Sequence, residues 1–248
     1  MRRFARARYV ARRLDRFGRR LLDPRHQWRL GRRYPALTGI TGAVEARVRP
    51  LLAPRRDYIT SVSKDAMAAS AEFCALAQEI CHRWNARKVA DLGSGFSSYA
   101  LRSFAREQGG LEVWSADDQE EWLEKTRQFL RKNDLPTDHC VTWASMAAMA
   151  SVQGAFDVVT HDLGHASAWG NGTPAAQRAV YLDAALDLLR PGGLALLDDM
   201  HTEPYRTSVR SILERRSLES YPMVRATLDQ WGRYAWLAVV PPTAPFRA

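Results

Sequence analysis

The chain has 248 residues, 46% of them hydrophobic, which is enough to bury a full α/β core. It contains no apolar run of about eighteen residues, so the sequence predicts no membrane-spanning helix. Its three cysteines, Cys74, Cys81 and Cys140, lack metal-ligand spacing and favour a reducing, cytoplasmic setting over a disulfide scaffold. The net charge of +9 is uneven, because residues 1–57 hold seventeen arginines against four acids, a balance of +13 that leaves −4 for the remainder.

Residues 3–22 are predicted to form a basic amphipathic helix. Val10, Leu14, Phe17 and Leu21 recur at helical spacing, and arginines surround them. Three roles stay open for this helix. The first role is docking of its apolar face on the rest of the chain or on a second subunit, and the second is binding to an anionic membrane. The third and less favoured role is binding of nucleic acid.

Pro50 and Pro54, with arginines between and beyond them, predict a linker. The sequence therefore divides into an arginine-rich helical extension at 1–57 and a main domain at 58–248. The main domain is expected to open with a helix from Ser63 to Trp84, which carries an apolar stripe.

The run from Lys88 to Ser98 is the most informative stretch of the chain. An apolar segment typical of a buried parallel strand ends in Asp91-Leu92, and Gly93, Ser94 and Gly95 then predict a sharp turn into a helix. Such a turn brings a ligand against bare backbone at a helix N-terminus, which suits a nucleoside cofactor. A dinucleotide fingerprint has a third small residue, usually glycine, at the position of Ser98. The acid before the first glycine instead favours a cofactor with a cationic end, such as an ammonium group.

Two further strands are predicted to complete the cofactor side. Residues 111–116 read as a strand that ends in Asp117-Asp118, about two dozen residues past the glycines, where an acid grips ribose hydroxyls in nucleotide-binding α/β folds. Asp117 is the chosen ribose ligand, although it also suits a helix cap for residues 119–132. A third strand at 140–143 leads to Ser145, which is placed near adenine by position alone.

Acidic residues follow two more predicted strands. Residues 155–160 deliver His161-Asp162, and residues 193–197 deliver Asp198-Asp199 and then His201. Because neighbouring parallel strands present their carboxyl ends on one edge, these groups are expected to converge. Like charges in a cleft raise one another's pKa or recruit a cation, and Asp162, Asp198 and Asp199 would suit Mg²⁺ or Mn²⁺. The alternative is that these acids only cap loops or bind substrate.

The chain is expected to end in a hairpin. Residues 223–228 and 234–240 are predicted strands on either side of Asp229-Gln230-Trp231-Gly232.

Taken in order, these motifs resemble a class I S-adenosylmethionine-dependent methyltransferase over about residues 60–240. The similarity is to small-molecule O-methyltransferases of the catechol and macrolide-sugar types. The resemblance implies an α/β fold with a Rossmann-like, seven-stranded, mostly parallel sheet, helices on both faces and a terminal antiparallel strand. It also implies that Asp91, Gly93, Ser94 and Gly95 hold the methionine end of the cofactor, that Asp117 and Asp118 lie at the ribose, and that Asp162 lies beside both cofactor and metal.

The chain departs from the catechol-type pattern at two places. Met200 follows Asp199 where that pattern has an amide, and His165 stands where it has a catalytic lysine. His165 is therefore the first choice for general base and His201 the second, because a neutral imidazole accepts a proton near pH 7. The predicted function is O-methylation of a hydroxylated small molecule, such as a sugar, natural product or lipid-linked acceptor. The alternatives are an RNA 2′-O-methyltransferase recruited by the basic arm and a non-catalytic cofactor-binding scaffold.

Overall fold

The computed structural model describes residues 24–164 and 175–242. Its centre is a seven-stranded sheet with the order β3-β2-β1-β4-β5-β7-β6, in which β7 runs antiparallel to both of its neighbours and all other pairs are parallel. This confirms the predicted fold class. The strands are β1 Lys88–Leu92, β2 Glu112–Asp117, β3 Cys140–Thr142, β4 Phe156–His161, β5 Leu189–Leu197, β6 Glu219–Pro222 and β7 Trp236–Val239.

Helices lie before and between the strands. Residues 24–33 are helical and are called α1. The others are α2 Ile40–Ser61, α3 Ala71–Arg83, α4 Phe96–Gln108, α5 Glu120–Lys132, α6 Trp143–Ala148, α7 Ala175–Ala185, α8 Glu203–Arg215 and α9 Val224–Thr227. Within the described ranges, no helix is long and apolar enough to cross a bilayer.

The central strands are buried on both faces, as their continuous apolar runs predict. Alternate residues point to opposite sides of a strand, so Val89 packs into one core with α2, α3 and α4, whereas Ala90 packs into another with α7 and α8. Leu196 and Leu197 of β5 divide in the same way. The sheet is therefore covered by helices on both faces.

The linker expected around Pro50 and Pro54 is wrong. Both prolines lie inside α2, which runs across residue 57 without a break. Val44, Leu51 and Tyr58 of this helix belong to the same buried cluster as the strand residues, so packing against the core keeps the segment helical despite its two prolines. The helix expected from Ser63 begins instead at Ala71, after the Ser70 hydroxyl accepts a hydrogen bond from the Phe73 amide.

The terminal hairpin has a different first strand from the one predicted. β6 ends at Pro222, which pairs with Trp236, and the following residues form the short helix α9 rather than a strand. The apolar side chains of Met223, Val224 and Ala226, at the start of this helix and within it, are buried. Because a short apolar run is common to buried strands and buried helices, the pattern alone does not distinguish them. The terminal antiparallel strand itself is confirmed.

The register of the sheet fixes where the site forms. Leu92 at the end of β1 lies level with Ala116 of β2 and with His161 of β4, and His161 lies level with Leu197 of β5. The residues that follow these strands therefore emerge on one edge, where ligands bind in open α/β sheets.

Candidate active site

The turn after β1 leaves bare backbone against the end of β4. Gly93 has a φ of +96°, and a Cβ placed there would come within 2.5 Å of the Asp162 carbonyl carbon. At Gly95 a Cβ would approach the Tyr58 hydroxyl to 3.0 Å. Both positions thus require glycine because the turn packs closely against Asp162 and Tyr58, and the turn presents bare backbone along which a cofactor would lie.

Asp91 is tied into the protein beneath this turn. Its side chain accepts hydrogen bonds from the hydroxyls of Thr160 at 2.7 Å, Ser98 at 2.5 Å and Ser97 at 3.1 Å, and the residue is only 1% exposed. Burial raises the pKa of this carboxyl, and the three hydroxyls work in the opposite direction. Asp91 therefore anchors α4 to β1 and β4 through its hydrogen bonds within the chain.

Asp117 braces the glycine turn from β2. One carboxylate oxygen accepts both the amide of Ser94 at 2.9 Å and its hydroxyl at 3.1 Å, and the other accepts the Gln119 amide at 3.1 Å. Burial raises the pKa of Asp117 to about 7. Because the second oxygen accepts a single hydrogen bond within the described chain, it keeps acceptor capacity for a ribose hydroxyl. Asp118, in contrast, is exposed.

The position expected for adenine borders two aromatic rings. Ser145 is exposed in the first turn of α6, where its amide donates to the Thr142 hydroxyl. On the same helix Trp143 meets Tyr181 of α7 edge to face, with ring centroids 6.1 Å apart. Burial raises the pKa of Tyr181, and the nearby charge of Asp118 adds to the effect. The sequence had not singled out Tyr181.

The acids after β4 and β5 converge, but around an arginine. The guanidinium of Arg178 donates to Asp199 at 3.0 Å and to Asp162 at 3.3 Å, and its side chain is 0% exposed. Asp198 turns away and accepts the amide of Asp199 at 2.7 Å. Among the described residues no group of three or more acids, histidines or cysteines is arranged to hold a metal ion. The metal site predicted from Asp162, Asp198 and Asp199 does not fit this arrangement, because a side-chain cation already occupies the space between two of the three.

The pKa values of the three carboxyls shift in different directions. Burial and the neighbouring acids raise the pKa of Asp162 well above its usual value, and burial together with Asp199 raises that of Asp198 to about 7. Burial acts the same way on Asp199, but Arg178 outweighs it, so the pKa of Asp199 is lowered. Asp199 is thus the carboxyl of the three whose ionised form the site favours most.

His201 stands beside this carboxylate at the mouth of the site. Asp199 has a left-handed φ of +59°, and its Oδ1 lies 3.6 Å from Nδ1 of His201. The imidazole is 36% exposed, and burial lowers its pKa while Asp199 partly offsets the shift. His201 is therefore neutral and accessible at pH 7. His165, the first choice for the base, lies outside the described residues.

A second histidine lies behind the acids without access to a ligand. His161 is 0% exposed, and the Tyr205 hydroxyl lies 3.1 Å from its Nδ1. Burial and the charge of Arg178 lower the pKa of His161 to about 3, so the ring stays neutral. Tyr205 also presents its ring face to Arg178, with the guanidinium carbon 4.4 Å from the centroid.

Two loops, called the rim below, are joined by Arg233, whose charge acts on the pKa of Asp198 and Asp199. Arg233 donates to the carbonyls of Ala66 at 3.1 Å and Ala68 at 3.0 Å, which ties the segment before α3 to the segment before β7. Met67 and Trp231 are 37% and 50% exposed on these segments. The rim therefore offers apolar side chains next to a charged floor.

Sequence reasoning missed Arg178, Tyr205 and Arg233. For Arg178 one signal was present: it stands one helical turn before the buried Leu182, on the apolar stripe of α7. A lone charge at a core position is costly unless it is paired, so it points to partners brought by other elements.

The comparisons with known proteins agree with the geometry. Residues 90–200 match the family model of a methyltransferase domain. The O-methyltransferase TomG of Streptomyces achromogenes, solved with its cofactor, is 17% identical with a TM-score of 0.53, over 79% of this chain and 89% of that one. A methyltransferase from Geobacter sulfurreducens is 14% identical with a TM-score of 0.54, over 77% of this chain and 88% of that one. At these identities the likeness shows the fold alone. No curated protein sequence matches the chain.

Proposed function

We propose that the chain is an S-adenosylmethionine-dependent methyltransferase and that it methylates a hydroxyl oxygen of a small molecule, which its methyltransferase-like fold and the match of residues 90–200 to a methyltransferase domain support. The observation that carries this proposal is the pair formed by Asp199 and His201 at the end of β5. It combines an ionised carboxylate with a neutral, accessible imidazole on the edge of the sheet that holds the glycine turn. Such a pair suits removal of a proton from a hydroxyl group.

The residues around the glycine turn would hold the cofactor. The backbone of residues 93–95 would lie along its methionine part, and Asp117 would accept hydrogen bonds from the ribose. Ser145 and the rings of Trp143 and Tyr181 would border the adenine. Asp91 would act indirectly, by fixing the start of α4. When bound, S-adenosylmethionine supplies a sulfonium methyl group that a nucleophile attacks without further activation.

In the proposed reaction His201 takes the proton from the acceptor hydroxyl at Nε2. The acceptor oxygen would thereby become the nucleophile for the methyl group that S-adenosylmethionine supplies when bound. Asp199 would hold the ring from its Nδ1 side and stabilise the imidazolium, which afterwards releases its proton to solvent. Alignment of oxygen, methyl and sulfur supplies much of the acceleration.

The acceptor is proposed to be a hydroxylated small molecule with a flat or apolar part. Met67 and Trp231 at the rim would contact that part, while Asp162 and Asp199 would face the hydroxyl group. A sugar, a natural product and a lipid-linked compound all satisfy this description. The RNA 2′-hydroxyl remains the alternative acceptor.

Substitution of His201 tests the proposal. We expect His201→Gln to lower kcat about 100-fold or more, because general-base catalysis contributes this much, while S-adenosylhomocysteine still binds. Transfer of tritiated methyl to a panel of hydroxylated acceptors and calorimetric titration of the product would measure both effects. His82→Gln, at an exposed position on α3, is the matched control and should leave the rate unchanged. If His201→Gln kept full activity and His165→Gln lost it, His165 would be the base instead.

A basic groove lies apart from the acceptor site, at the edge of the sheet. This groove lies between α1 and the edge strand β6 and has a volume of about 670 Å³. It is lined by Trp28, Arg29, Arg32, Arg33, Glu219, Ser220 and Tyr221. Trp28 is 63% exposed, and the guanidinium of Arg32 lies 5.3 Å from the centre of its ring. An exposed tryptophan among arginines suits the interface of an anionic membrane, as does the apolar spacing of residues 10–21 in the sequence. We therefore propose anionic lipid as the partner of this surface.

Co-sedimentation with vesicles tests the lipid proposal. The full chain should pellet with phosphatidylglycerol vesicles and not with phosphatidylcholine vesicles, and the double variant R29E/R32E should weaken binding roughly tenfold or more, at about 1 kcal/mol for each charge near the surface. Arg131→Glu on α5, beside the opposite edge of the sheet, is the control. Retention of RNA without retention of vesicles would contradict the proposal and favour the nucleic-acid role.

A further inference from the structure

Arg178 is a fully buried cation at the floor of the acceptor site. Its two terminal nitrogens bind Asp162 and Asp199, which follow different strands, and its guanidinium plane lies over the ring of Tyr205. The Tyr205 hydroxyl is in turn held by His161. Four groups from β4, β5 and α8 thus fix one side chain of α7.

Burial of a guanidinium without solvent is unfavourable unless partners compensate it. Burial indeed works to lower the pKa of Arg178, but Tyr205 and the two carboxylates outweigh it, so the pKa is raised and the charge is permanent. Among the described residues its Nε has no hydrogen-bond partner. The two terminal nitrogens of Arg178 are thus hydrogen-bonded to the acids, whereas its Nε is not.

This placement excludes a divalent ion between the same acids. An ion shared by Asp162 and Asp199 would lie about 2.1 Å from an oxygen of each. Two guanidinium nitrogens already occupy that space, at 3.0 Å from Asp199 and 3.3 Å from Asp162. Asp198 is 3% exposed, and one of its oxygens accepts the backbone amide of Asp199.

We propose that Arg178 is the built-in counter-cation of the acceptor site, a positioning residue that replaces a divalent metal. It neutralises Asp199 without removing its second oxygen from use, so that oxygen stays directed at His201. The inference about His201 rests on the proposed function, whereas replacement of the metal by Arg178 does not. The site would bind its acceptor through fixed protein charges alone.

Removal of the arginine should expose a latent metal site. Arg178→Gln is close in shape but carries no charge, so the freed carboxylates should bind Mn²⁺ roughly tenfold or more tightly than the wild-type chain does. Calorimetry and the electron paramagnetic resonance of free Mn²⁺ would measure this without any acceptor. Addition of Asp162→Asn to the variant should abolish the gain, because one ligand is then lost.

The matched control is Arg102→Gln. Arg102 is equally buried but donates to backbone carbonyls and to Ser115, so its loss should destabilise the fold without creating a Mn²⁺ site. If Arg178→Gln failed to fold, the wild-type titration would still decide: Mn²⁺ binding that Asp199→Asn removes would overturn the proposal, and absence of binding would support it.

Two further results complete the test. Equal Mn²⁺ affinity of the wild type and a folded Arg178→Gln variant would refute the replacement of a metal by Arg178. Binding of S-adenosylhomocysteine by Arg178→Gln should stay within about threefold of the wild-type value, since Arg178 would lie on the acceptor side. If the chain methylated no hydroxyl group, the proposed function would fail while the Mn²⁺ result would stand.

Discussion

Gly93→Ala is expected to abolish cofactor binding and to destabilise the fold by about 3 kcal/mol or more. The backbone at this position has a φ of +96°, which L side chains rarely adopt, and the new methyl carbon would lie 2.5 Å from the Asp162 carbonyl carbon and 2.8 Å from the Leu163 amide. These are backbone atoms, so relief requires β1 and β4 to separate. Urea denaturation and calorimetric titration with S-adenosylhomocysteine would measure the two effects.

Gly109→Ala provides the control for backbone strain alone. Gly109 has a φ of +71° at the end of α4, and a Cβ there would have nothing within 4 Å. This variant should lose about 1 kcal/mol and bind the cofactor normally. Equal losses of stability and affinity in the two variants would show that the close contact of Gly93 with the end of β4 is unimportant. They would contradict the role of the turn as a close-fitting cofactor site.

Asp117→Asn is expected to weaken cofactor binding by roughly 10-fold to 100-fold, the effect of losing hydrogen bonds to a charged acceptor. The variant should also remove a pH dependence. Because burial raises the pKa of Asp117 to about 7, the carboxyl of the free protein takes up a proton as the pH falls below 7. A ribose that requires the carboxylate then binds more weakly, so the wild-type affinity should fall below pH 7 and level off above it. Calorimetry between pH 5.5 and 8.5 would follow the change.

Asp118→Asn distinguishes the two adjacent acids. Asp118 is exposed and does not brace the glycine turn, so its loss should change affinity by less than about threefold and leave the pH dependence in place. A larger effect at Asp118 than at Asp117 would show that Asp118, and not Asp117, binds the ribose. A wild-type affinity that stays constant across this pH range would likewise contradict ionisation of Asp117 on binding.

The sequence alone determined the order of elements from β1 to β5 and the edge at which the site forms. Continuous apolar runs such as Leu194 to Leu197 identify parallel strands buried on both faces, and two glycines after an acid identify the turn. These are local patterns that hold whatever the neighbours are. Where the pattern was short or conflicted with local preference, it failed, as with the strand expected in place of α9 and the linker expected within α2.

Only the tertiary structure decided how the charges in the site are balanced. The sequence places three acids on one edge, and like charges there require a cation, but it does not say which one. Arg178 supplies it from α7, which packs beside β4, and Asp91 accepts hydrogen bonds from hydroxyls of α4 and β4. Both outcomes depend on side chains far apart in the chain, whose energies of pairing and burial exist only once the helices are packed against the sheet.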